Sequence, residues 1–498
     1  MKKIFLSLCA LFIVVSCSKE DAITEEQDVQ IDTRTPLTIE EINANIDQIF
    51  NSKGEFNWFE DASDHMLWSA VIHGDNVLTV GYGNVGESFS ETKSTRLLEQ
   101  KASIINVIES QEGFERNKEN YLEHEIINVF DVKVEKLATI EALRSTPGIR
   151  YFEPNGYSHY GIDQTRSSSG CDKNADSINS AHFSTIAPNN AQVSWHFDEH
   201  NIQQAWNLST GSGITVGLID TGVSQSQSLL NPSGFNDGYS NGRYVQKYGT
   251  FIDSWWWWSN NYDGPHDKCG HGTAMASTIA APRNDNGKPV GVAYNSNLVA
   301  YRATEDVVLN DYHERKGVSD ALVQLGNRSD VRIISMSIGY VWSIGNVKDA
   351  VKYAYSRGKL IFAAGGTSTS FTNGFGVIFP ATMSETVAVT GVDDGPNYER
   401  CNTCHSGSKI DFTIIMEGDN NTSKAPPVNS FYNGQRRYTG GSSVATATTA
   451  GIAALVWSRH PSWSRTQVLN RLKQSAEFYP SKSSQFGYGN IDALQAVQ

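Results

Sequence analysis

Hydrophobic residues after position 35 first follow a helical pattern. Thr38 is followed three positions later by Glu41, which is the spacing of a capping box at a helix start. Isoleucines then recur at helical intervals at four positions: Ile39, Ile42, Ile46 and Ile49. The pattern predicts an amphipathic helix whose isoleucine face is buried.

Short apolar runs and turn signals continue as far as residue 154. Residues 67–72 and 77–82 are apolar runs on either side of the turn-like stretch 73–76, which predicts a β-hairpin. The segments expected after it are a helix ending near Gly113, a strand at 130–134, a short helix at 139–145 and an extended stretch at 149–154. Together these elements predict a small α+β unit.

From about residue 195 the chain alternates between strands and helices. Runs that are apolar on both faces, as covered parallel strands must be, occur at 214–219, 298–303, 331–338, 360–364 and 386–392. A helical stripe over residues 347–354 ends at Gly358, where a glycine C-cap belongs. We therefore predict an α/β fold of three layers, in which a parallel sheet carries helices on both faces.

The first residues have the pattern of an export signal. Lys2 and Lys3 precede a short apolar stretch at 4–15, which suits a secretory signal better than a membrane span. Residues 14–17 end in Cys17 and resemble the bacterial lipobox, in which the cysteine is lipidated. The acidic stretch 18–21 resembles an export tag of lipoproteins on the surface of Gram-negative cells. The alternative is an ordinary signal peptide in which Cys17 is incidental.

Charge and composition exclude some classes of function. Acidic residues outnumber basic residues by 54 to 40, which gives a net charge of −14 and disfavours binding to nucleic acid. Apolar residues make up 39% of the chain, enough for a substantial core.

Four cysteines remain once Cys9 and Cys17 are assigned to the signal and the lipid. In an exported protein Cys171, Cys269, Cys401 and Cys404 are expected to form two disulfides, with three connectivities open. We favour a local bridge between Cys401 and Cys404, which leaves Cys171 and Cys269 to pair. The alternative for the C-x-x-C pair is half of a metal site beside His405.

Three polar side chains stand where reacting groups are found in a parallel α/β sheet. Asp220 ends the first strand, His271 opens a small-residue helix, and Ser443 precedes an Ala- and Gly-rich helix. Each residue has a structural alternative when taken alone, as a turn residue, a core histidine or a helix cap. Their order and their positions at element junctions predict a Ser-His-Asp catalytic triad.

With these motifs the chain resembles the subtilase family of serine endopeptidases. Residues 335–339 are similar to the substrate-lining strand of that family, which implies a substrate-binding role for Ser337, Ile338 and Gly339. Residues 143–154 are similar to the end of the family's inhibitory prodomain, which implies a ferredoxin-like α+β fold for the amino-terminal unit. The resemblance covers roughly residues 120–498.

The resemblance also implies roles and reveals departures. Ser443 would be the nucleophile, His271 the general base, and Asp220 the residue that orients the imidazole. After an Ala-Ala-Gly run, however, Gly366 stands where the family has the oxyanion-hole Asn, so that Thr367, Ser368 or a nearby Asn would have to compensate. Further departures from the family pattern are Ala274, Ser442 and Ala447.

Two loops of the chain contain groups that could bind a ligand. The oxygens of Asn284, Asp285 and Asn286 lie in the loop where relatives hold a stabilising Ca²⁺, and a plain turn is the alternative. No cofactor is implied as a requirement. Four consecutive tryptophans at 255–258 could grip a ligand near the cleft, but we favour packing on their own insertion.

The predicted organisation is a signal peptide at 1–16, a tether at 17–36, an inhibitor-like propeptide at 37–160, a maturation linker at 161–194 and a peptidase domain at 195–498. The predicted protein is an autoprocessed, lipid-anchored peptidase of the Gram-negative outer membrane, whose partners are peptide substrates, its own prodomain and the membrane. The alternatives are a peptide-binding lipoprotein of the same fold and an α/β esterase. The esterase is disfavoured because no G-x-S-x-G elbow is present.

Overall fold

The structure is a computed structural model that describes residues 35–159, 170–368 and 376–498. Contacts divide the chain into Met1–Thr35 and Pro36–Gln498, and the fold described below is that of the second unit. The predicted signal peptide, the lipidation residue Cys17, most of the tether and residues 161–169 of the linker lie outside the described residues. Within the described ranges, no helix combines the length and the apolarity needed to cross a bilayer.

Residues 36–159 form an amino-terminal unit around an antiparallel sheet. Its elements are α1 (Ile39–Lys53), α2 (Trp58–Asp61), α3 (Asp64–His73), β1 (Val77–Tyr82), α4 (Thr95–Glu112), β2 (Tyr121–His124), β3 (Val129–Lys133), α5 (Leu137–Arg144) and β4 (Ile149–Glu153). The strand order is β2-β3-β1-β4, and every pairing is antiparallel. From β1 onwards this is the β-α-β-β-α-β arrangement of a ferredoxin-like fold. The capping box of Thr38 and Glu41 is present at the start of α1.

The predicted hairpin at 67–82 is wrong in its first half. Residues 67–72 lie in α3, which Ser63 caps by accepting a hydrogen bond from the Met66 N–H. Six residues from Met66 to Val71 are buried, so this helix is covered on all sides rather than on one stripe. An apolar run of that length does not distinguish a buried helix from a strand.

The remainder of the chain is built on a parallel sheet of seven strands. Its strands are β7 (Thr215–Asp220), β8 (Val245–Gly249), β9 (Asn297–Arg302), β10 (Val331–Met336), β11 (Leu360–Ala364), β12 (Val387–Asp393) and β13 (Phe412–Glu417). Their order is β13-β12-β11-β10-β7-β9-β8. Two small antiparallel pairs join β5 (Phe183–Thr185) with β6 (Gln192–Ser194) and β14 (Pro427–Asn429) with β15 (Arg436–Tyr438).

Helices cover both faces of this sheet, as predicted. The helices are α6 (His196–Glu199), α7 (Ile202–Ala205), α8 (Pro232–Phe235), α9 (His271–Ala280), α10 (Tyr312–Asn327), α11 (Gly345–Ser356), α12 (Gly441–Arg459), α13 (Arg465–Gln474) and α14 (Ala493–Val497). Neighbouring strand residues enter different cores: Ile333 packs with α9 and α12, whereas Ile334 packs with α10 and α11. Burial of both faces explains why the strands are apolar throughout.

The amino-terminal unit lies against α10 and α11. Its apolar residues share one buried cluster with those helices, and polar contacts cross the same boundary. Arg150 of β4 forms a two-pronged ion pair with Asp349 of α11, with nitrogen–oxygen distances of 2.7 and 2.9 Å. Glu153 accepts a hydrogen bond of 2.8 Å from the first backbone N–H of α11, that of Gly345. The boundary therefore combines apolar packing with buried charge.

Candidate active site

The central strand β7 delivers Asp220 to the carboxyl edge of the sheet. The side chain is fully buried, and its Oδ1 accepts a 2.8 Å hydrogen bond from Nδ1 of His271. The backbone N–H of Thr221 donates to the same oxygen at 2.8 Å. Among the described residues, Oδ2 of Asp220 has no hydrogen-bond partner. Both hydrogen bonds are thus made to Oδ1, and through this oxygen the carboxylate orients the His271 imidazole.

His271 is the first residue of α9 and is held there by its approach loop. Gly270 caps the helix at a φ of 99°, a conformation that favours glycine. The Asp267 carboxylate accepts hydrogen bonds from the backbone N–H groups of Cys269 and Gly270 and from the Thr273 hydroxyl. Burial raises the pKa of Asp267, and these hydrogen bonds oppose the shift. Sequence reasoning missed Asp267, although an acidic residue four positions before the histidine is a visible signal.

Ser443 lies in the first turn of α12. This helix begins at Gly441 and not at Ser443, so the serine is its third residue. The Ser443 carbonyl accepts a 3.0 Å hydrogen bond from the hydroxyl of Ser337, which follows β10. The predicted strand 331–338 ends at Met336, and the residues after it leave the sheet.

One cleft of about 320 Å³ collects most of the predicted site residues. Its lining includes His271, Ser337, Ile338, Gly339, Gly366, Thr367, Ser368, Ser442 and Ser443. Val307, Val308 and Ile378 add apolar walls. A polar catalytic edge beside apolar walls suits a polypeptide substrate.

The imidazole ring of His405 occupies the space that a side chain at residue 366 would need. Gly366 has a φ of 122°, and a Cβ there would overlap Nδ1 of His405 and lie 3.0 Å from its Cγ. His405 is buried, and its Nδ1 donates a 2.8 Å hydrogen bond to the carbonyl of Gly376. Burial lowers the pKa of His405, which favours the neutral imidazole. Beside it, the Thr367 hydroxyl lies 2.9 Å from that of Ser442.

Comparison with known proteins agrees with this geometry. A model of the subtilase family matches residues 211–489, more than half of the chain. The chain belongs to the subtilase family. It is 32% identical over 308 residues to a thermostable alkaline protease of Halalkalibacterium halodurans, covering 61% of this chain and 74% of that protein. Subtilisin E of Bacillus subtilis is 31% identical over 290 residues, covering 58% of this chain and 67% of that protein. These relatives make the chain a subtilisin-like serine endopeptidase and exclude the esterase alternative.

Solved structures agree on the fold. Fervidolysin of Fervidobacterium pennivorans, a keratinolytic enzyme related to subtilisin, superposes with a TM-score of 0.60 at 17% sequence identity. The match covers 85% of this subtilase and 61% of fervidolysin. It supports the three-layer α/β architecture that the strand pattern predicts.

The four cysteines of the subtilase are paired as favoured from the sequence. Cys171 is bonded to Cys269, and Cys401 is bonded to Cys404. The metal-site alternative for the C-x-x-C pair is wrong, because both sulfurs are used in the bridge. The first disulfide fixes the chain at residue 171 close to His271, and the second lies directly before His405.

The predicted calcium ligands occupy a hydrogen-bonded turn. The Asn284 amide nitrogen donates to Asp237 at 2.8 Å, and Oδ1 of Asn286 accepts the Lys288 N–H at 3.1 Å. In the described ranges, no three acidic, histidine or cysteine side chains form a metal-binding group. The calcium site therefore stays a prediction.

The tryptophan segment divides between packing and exposure. Trp257 is buried against Tyr312 of α10 and Val77 of β1, so it packs on the amino-terminal unit and not only on its own insertion. Trp255 and Trp256 are 92% and 61% exposed. Trp256 and Trp257 also contact the ring of Trp258, at centroid distances of 4.9 and 5.7 Å, so packing within the insertion is present as well.

Proposed function

We propose that this subtilase is an exported serine endopeptidase, made as a zymogen, that cleaves peptide bonds through an acyl-enzyme on Ser443. The observation that carries the proposal is the hydrogen bond from His271 to Asp220 in a cleft that Ser443 also lines. A buried carboxylate, an oriented imidazole and a hydroxyl at a helix start are the groups that this chemistry requires.

The bond to Asp220 gives the two imidazole nitrogens of His271 different roles. Nδ1 carries the proton that is donated to Asp220, which leaves Nε2 to accept the proton of Ser443. As the serine Oγ attacks the substrate carbonyl carbon, this proton moves to Nε2 and then to the amine that departs when the C–N bond breaks. Water repeats the sequence on the acyl-enzyme, releases the acid product and restores the serine hydroxyl.

Stabilisation of the oxyanion relies on groups other than an asparagine. The backbone N–H groups of the first turn of α12 provide donors and the positive end of the helix dipole. The Thr367 hydroxyl is next to Ser442 and lines the cleft, and we assign to it the hydrogen bond that Gly366 does not provide. Removal of the amide donor from subtilisin costs about 10²–10³ in rate. A hydroxyl in its place recovers part of that factor.

The decisive test is covalent labelling. A fluorophosphonate probe is expected to modify the wild-type protein on Ser443, because only an activated serine displaces fluoride from the probe. Tryptic mass mapping identifies the labelled peptide, and Ser443→Ala and heat-denatured protein are the controls. A wild-type protein that stays unlabelled would instead support the peptide-binding lipoprotein, the alternative that the glycine at 366 favours.

Restoring the family asparagine is not expected to restore rate. In Gly366→Asn the new side chain overlaps the His405 ring at a backbone φ that side chains rarely adopt. We expect no gain in kcat and a loss of about 2–4 kcal/mol in the free energy of unfolding, measured by peptide hydrolysis and urea denaturation.

The control Gly434→Asn introduces the same side chain at a glycine that has neither the overlap nor the unusual φ of Gly366. Gly434 has a φ of 75° with open space around it, so this substitution is expected to cost less than half as much. A Gly366→Asn protein that is both faster and as stable as the wild type would contradict the assignment of His405.

The amino-terminal unit is proposed to act as an intramolecular inhibitor. The described chain leaves it at His159, against Trp342, and resumes at Gly170, where a side chain would lie 3.6 Å from the His271 ring. Of these two residues, Gly170 lines the active-site cleft. The predicted maturation cut, between Tyr157 and Cys171, falls largely on residues 160–169, which lie outside the described residues.

Release of the inhibitor is expected to depend on pH through Glu153. The pKa of this carboxyl is raised to about 7, chiefly by burial. The Gly345 N–H and the charges of Arg315 and Lys348 lower it, and the charge of Asp349 adds to the increase. When the unit dissociates, the pKa returns to about 4.5. The protonated form therefore favours the complex, and affinity is highest below about pH 4.5 and falls as pH rises to about 7.

Between pH 5 and pH 8 the dissociation constant of the cleaved unit is expected to rise by about 10²-fold. The measurement is the release of the amino-terminal fragment from self-cleaved protein, followed by size exclusion. Glu153→Gln keeps an acceptor for the Gly345 N–H and should remove most of this dependence. A wild-type complex with the same affinity at both pH values would contradict the role of Glu153.

The location proposed for this zymogen is the outer membrane of a Gram-negative cell, exposed at the surface and attached by a lipid on Cys17. The support is the lipobox-like stretch 14–17 and the acidic stretch 18–21. Its partners would be peptide substrates, the amino-terminal unit and the lipid bilayer.

A further inference from the structure

A second cavity, of about 710 Å³, lies at the amino ends of the parallel strands, whereas the active-site cleft lies at their carboxyl ends. It opens beside Val331 and Lys359, at the amino ends of β10 and β11, whereas the catalytic residues follow carboxyl ends. Five of its lining residues are basic: Arg328, Arg332, Arg357, Lys359 and Arg465. We call this cavity the basic pocket. Among the described residues, no acidic side chain is part of its lining, in a chain whose acidic residues outnumber the basic ones by 54 to 40.

Most of the positive charge in the basic pocket is not neutralised. Arg328 is paired with Asp330 at 2.7 Å. In contrast, Arg332 donates to the carbonyl of Pro461 at 2.6 Å, and Arg465 donates to backbone carbonyls of α11 and of Lys359. Carbonyl oxygens orient a guanidinium group, but they carry no full charge to offset it.

Two further basic side chains of the pocket, Lys359 and Arg357, also have no carboxylate partner among the described residues. Lys359 is only 4% exposed, and its ammonium group donates to the carbonyls of Arg328 and Val331. Arg357 has neither a hydrogen-bond acceptor nor a carboxylate partner among the residues of the three described ranges. The pKa of Lys359 is lowered to about 8: burial is the main cause, the charges of Arg357 and Arg328 act in the same direction, and Asp330 opposes them. An anion in the pocket would relieve this repulsion.

Aromatic rings form the remaining wall. The guanidinium of Arg332 lies over the ring of Trp457 at 5.3 Å, and the Trp457 indole N–H donates to the carbonyl of Trp463. The Trp463 ring is stacked on that of His460 at 3.8 Å. The pocket thus offers a cluster of donors beside apolar ring faces, which fits an anionic head attached to a carbon skeleton.

We propose that the basic pocket binds a phosphate group. Guanidinium groups present planar pairs of N–H donors that match phosphate oxygens, and several of them around one concave site favour a compact anion of high charge. Two sources share this chemistry: a soluble phosphate compound and the headgroup of an anionic phospholipid. Because the pocket and the cleft lie at opposite edges of the sheet, a bound headgroup would leave the cleft facing away from the bilayer.

The first test is a calorimetric titration of the full-length Ser443→Ala protein with inorganic phosphate. Saturable binding is expected, and Arg357→Gln is expected to weaken it by roughly tenfold through loss of one charge-assisted contact. Arg357 is chosen because its side chain holds no other described residue in place. The matched control is Lys173→Gln, which removes an exposed charge outside the pocket and should leave the affinity unchanged. Absence of saturable binding, or equal affinity in Arg357→Gln and the control, would overturn the proposal.

The second test separates the two sources. Full-length protein with Cys17→Ser, which cannot be lipidated, is mixed with vesicles of phosphatidylglycerol or of phosphatidylcholine and recovered by flotation. Preferential flotation with phosphatidylglycerol that inorganic phosphate and Arg357→Gln both abolish assigns a lipid headgroup. Phosphate binding in calorimetry without such flotation assigns a soluble phosphate compound. Binding of a glutamate-rich peptide in the pocket without any phosphate binding would refute the proposal.

Discussion

Replacing Ser443 with alanine is expected to leave the full-length chain uncleaved and without measurable peptidase activity. The residue provides the only protein atom that forms a bond to substrate carbon in the proposed mechanism, and His271 and Asp220 cannot substitute for it. In subtilisin, loss of the nucleophile lowers kcat on the order of 10⁶-fold. We expect a reduction of about that size here, measured with a chromogenic peptide and by the mass of the mature amino terminus.

The control for this experiment lies one residue away. Ser442→Ala removes the hydroxyl that meets Thr367 but keeps the nucleophile, so the chain should still mature, at a lower rate. Trace proteases of the host are excluded by purifying the Ser443→Ala chain and incubating it alone. If that chain matured at the rate of the wild type, self-processing by this site would be wrong.

Replacing Asp349 with alanine is expected to give the largest effect outside the active site. Asp349 is 3% exposed and holds both Arg150, at 2.7 and 2.9 Å, and the hydroxyl of Tyr151, at 2.9 Å. Its loss leaves a buried guanidinium without a carboxylate, which typically costs about 3–5 kcal/mol. Because the pair crosses the boundary of the amino-terminal unit, that cost appears as an affinity about 10²–10⁴-fold weaker after self-cleavage.

The readout is the delay between self-cleavage and the appearance of activity. In Asp349→Ala the delay should shorten, because the cleaved fragment leaves sooner. Glu399→Ala removes an exposed carboxylate from the segment between β12 and β13, which is not part of the boundary, and it should behave as the wild type. An unchanged delay in Asp349→Ala would mean that the ion pair contributes little to inhibition.

The sequence predicts the large sheet well because one physical condition determines its strands. A strand covered on both faces must be apolar throughout, and residues such as Ile333 and Ile334 serve opposite cores. The same condition misleads for residues 67–72, where a helix buried on all sides has the same composition as a strand. There the cap at Ser63 is the better guide, because it acts on the backbone directly.

The sequence points to the side chains proposed for the triad, but not to the residues that support them. Asp220, His271 and Ser443 each stand at the end of an element, a position that local sequence reveals. Asp267 and His405 act through contacts that only the folded chain creates: one carboxylate gathers the loop before the histidine, and one ring fills the space beside Gly366. The glycine indicates that a donor is missing, but it does not indicate what has taken the space.

The boundary between the amino-terminal unit and helices α10 and α11 has a consequence for where the enzyme works. In the order of the chain, the proposed lipid on Cys17 is on one side of the maturation cut and all three catalytic residues are on the other. Activation would therefore sever the covalent link between enzyme and membrane, and the Arg150–Asp349 boundary would become the remaining attachment to that lipid. Its strength would then decide whether the protease acts at the cell that made it or diffuses away as a secreted product.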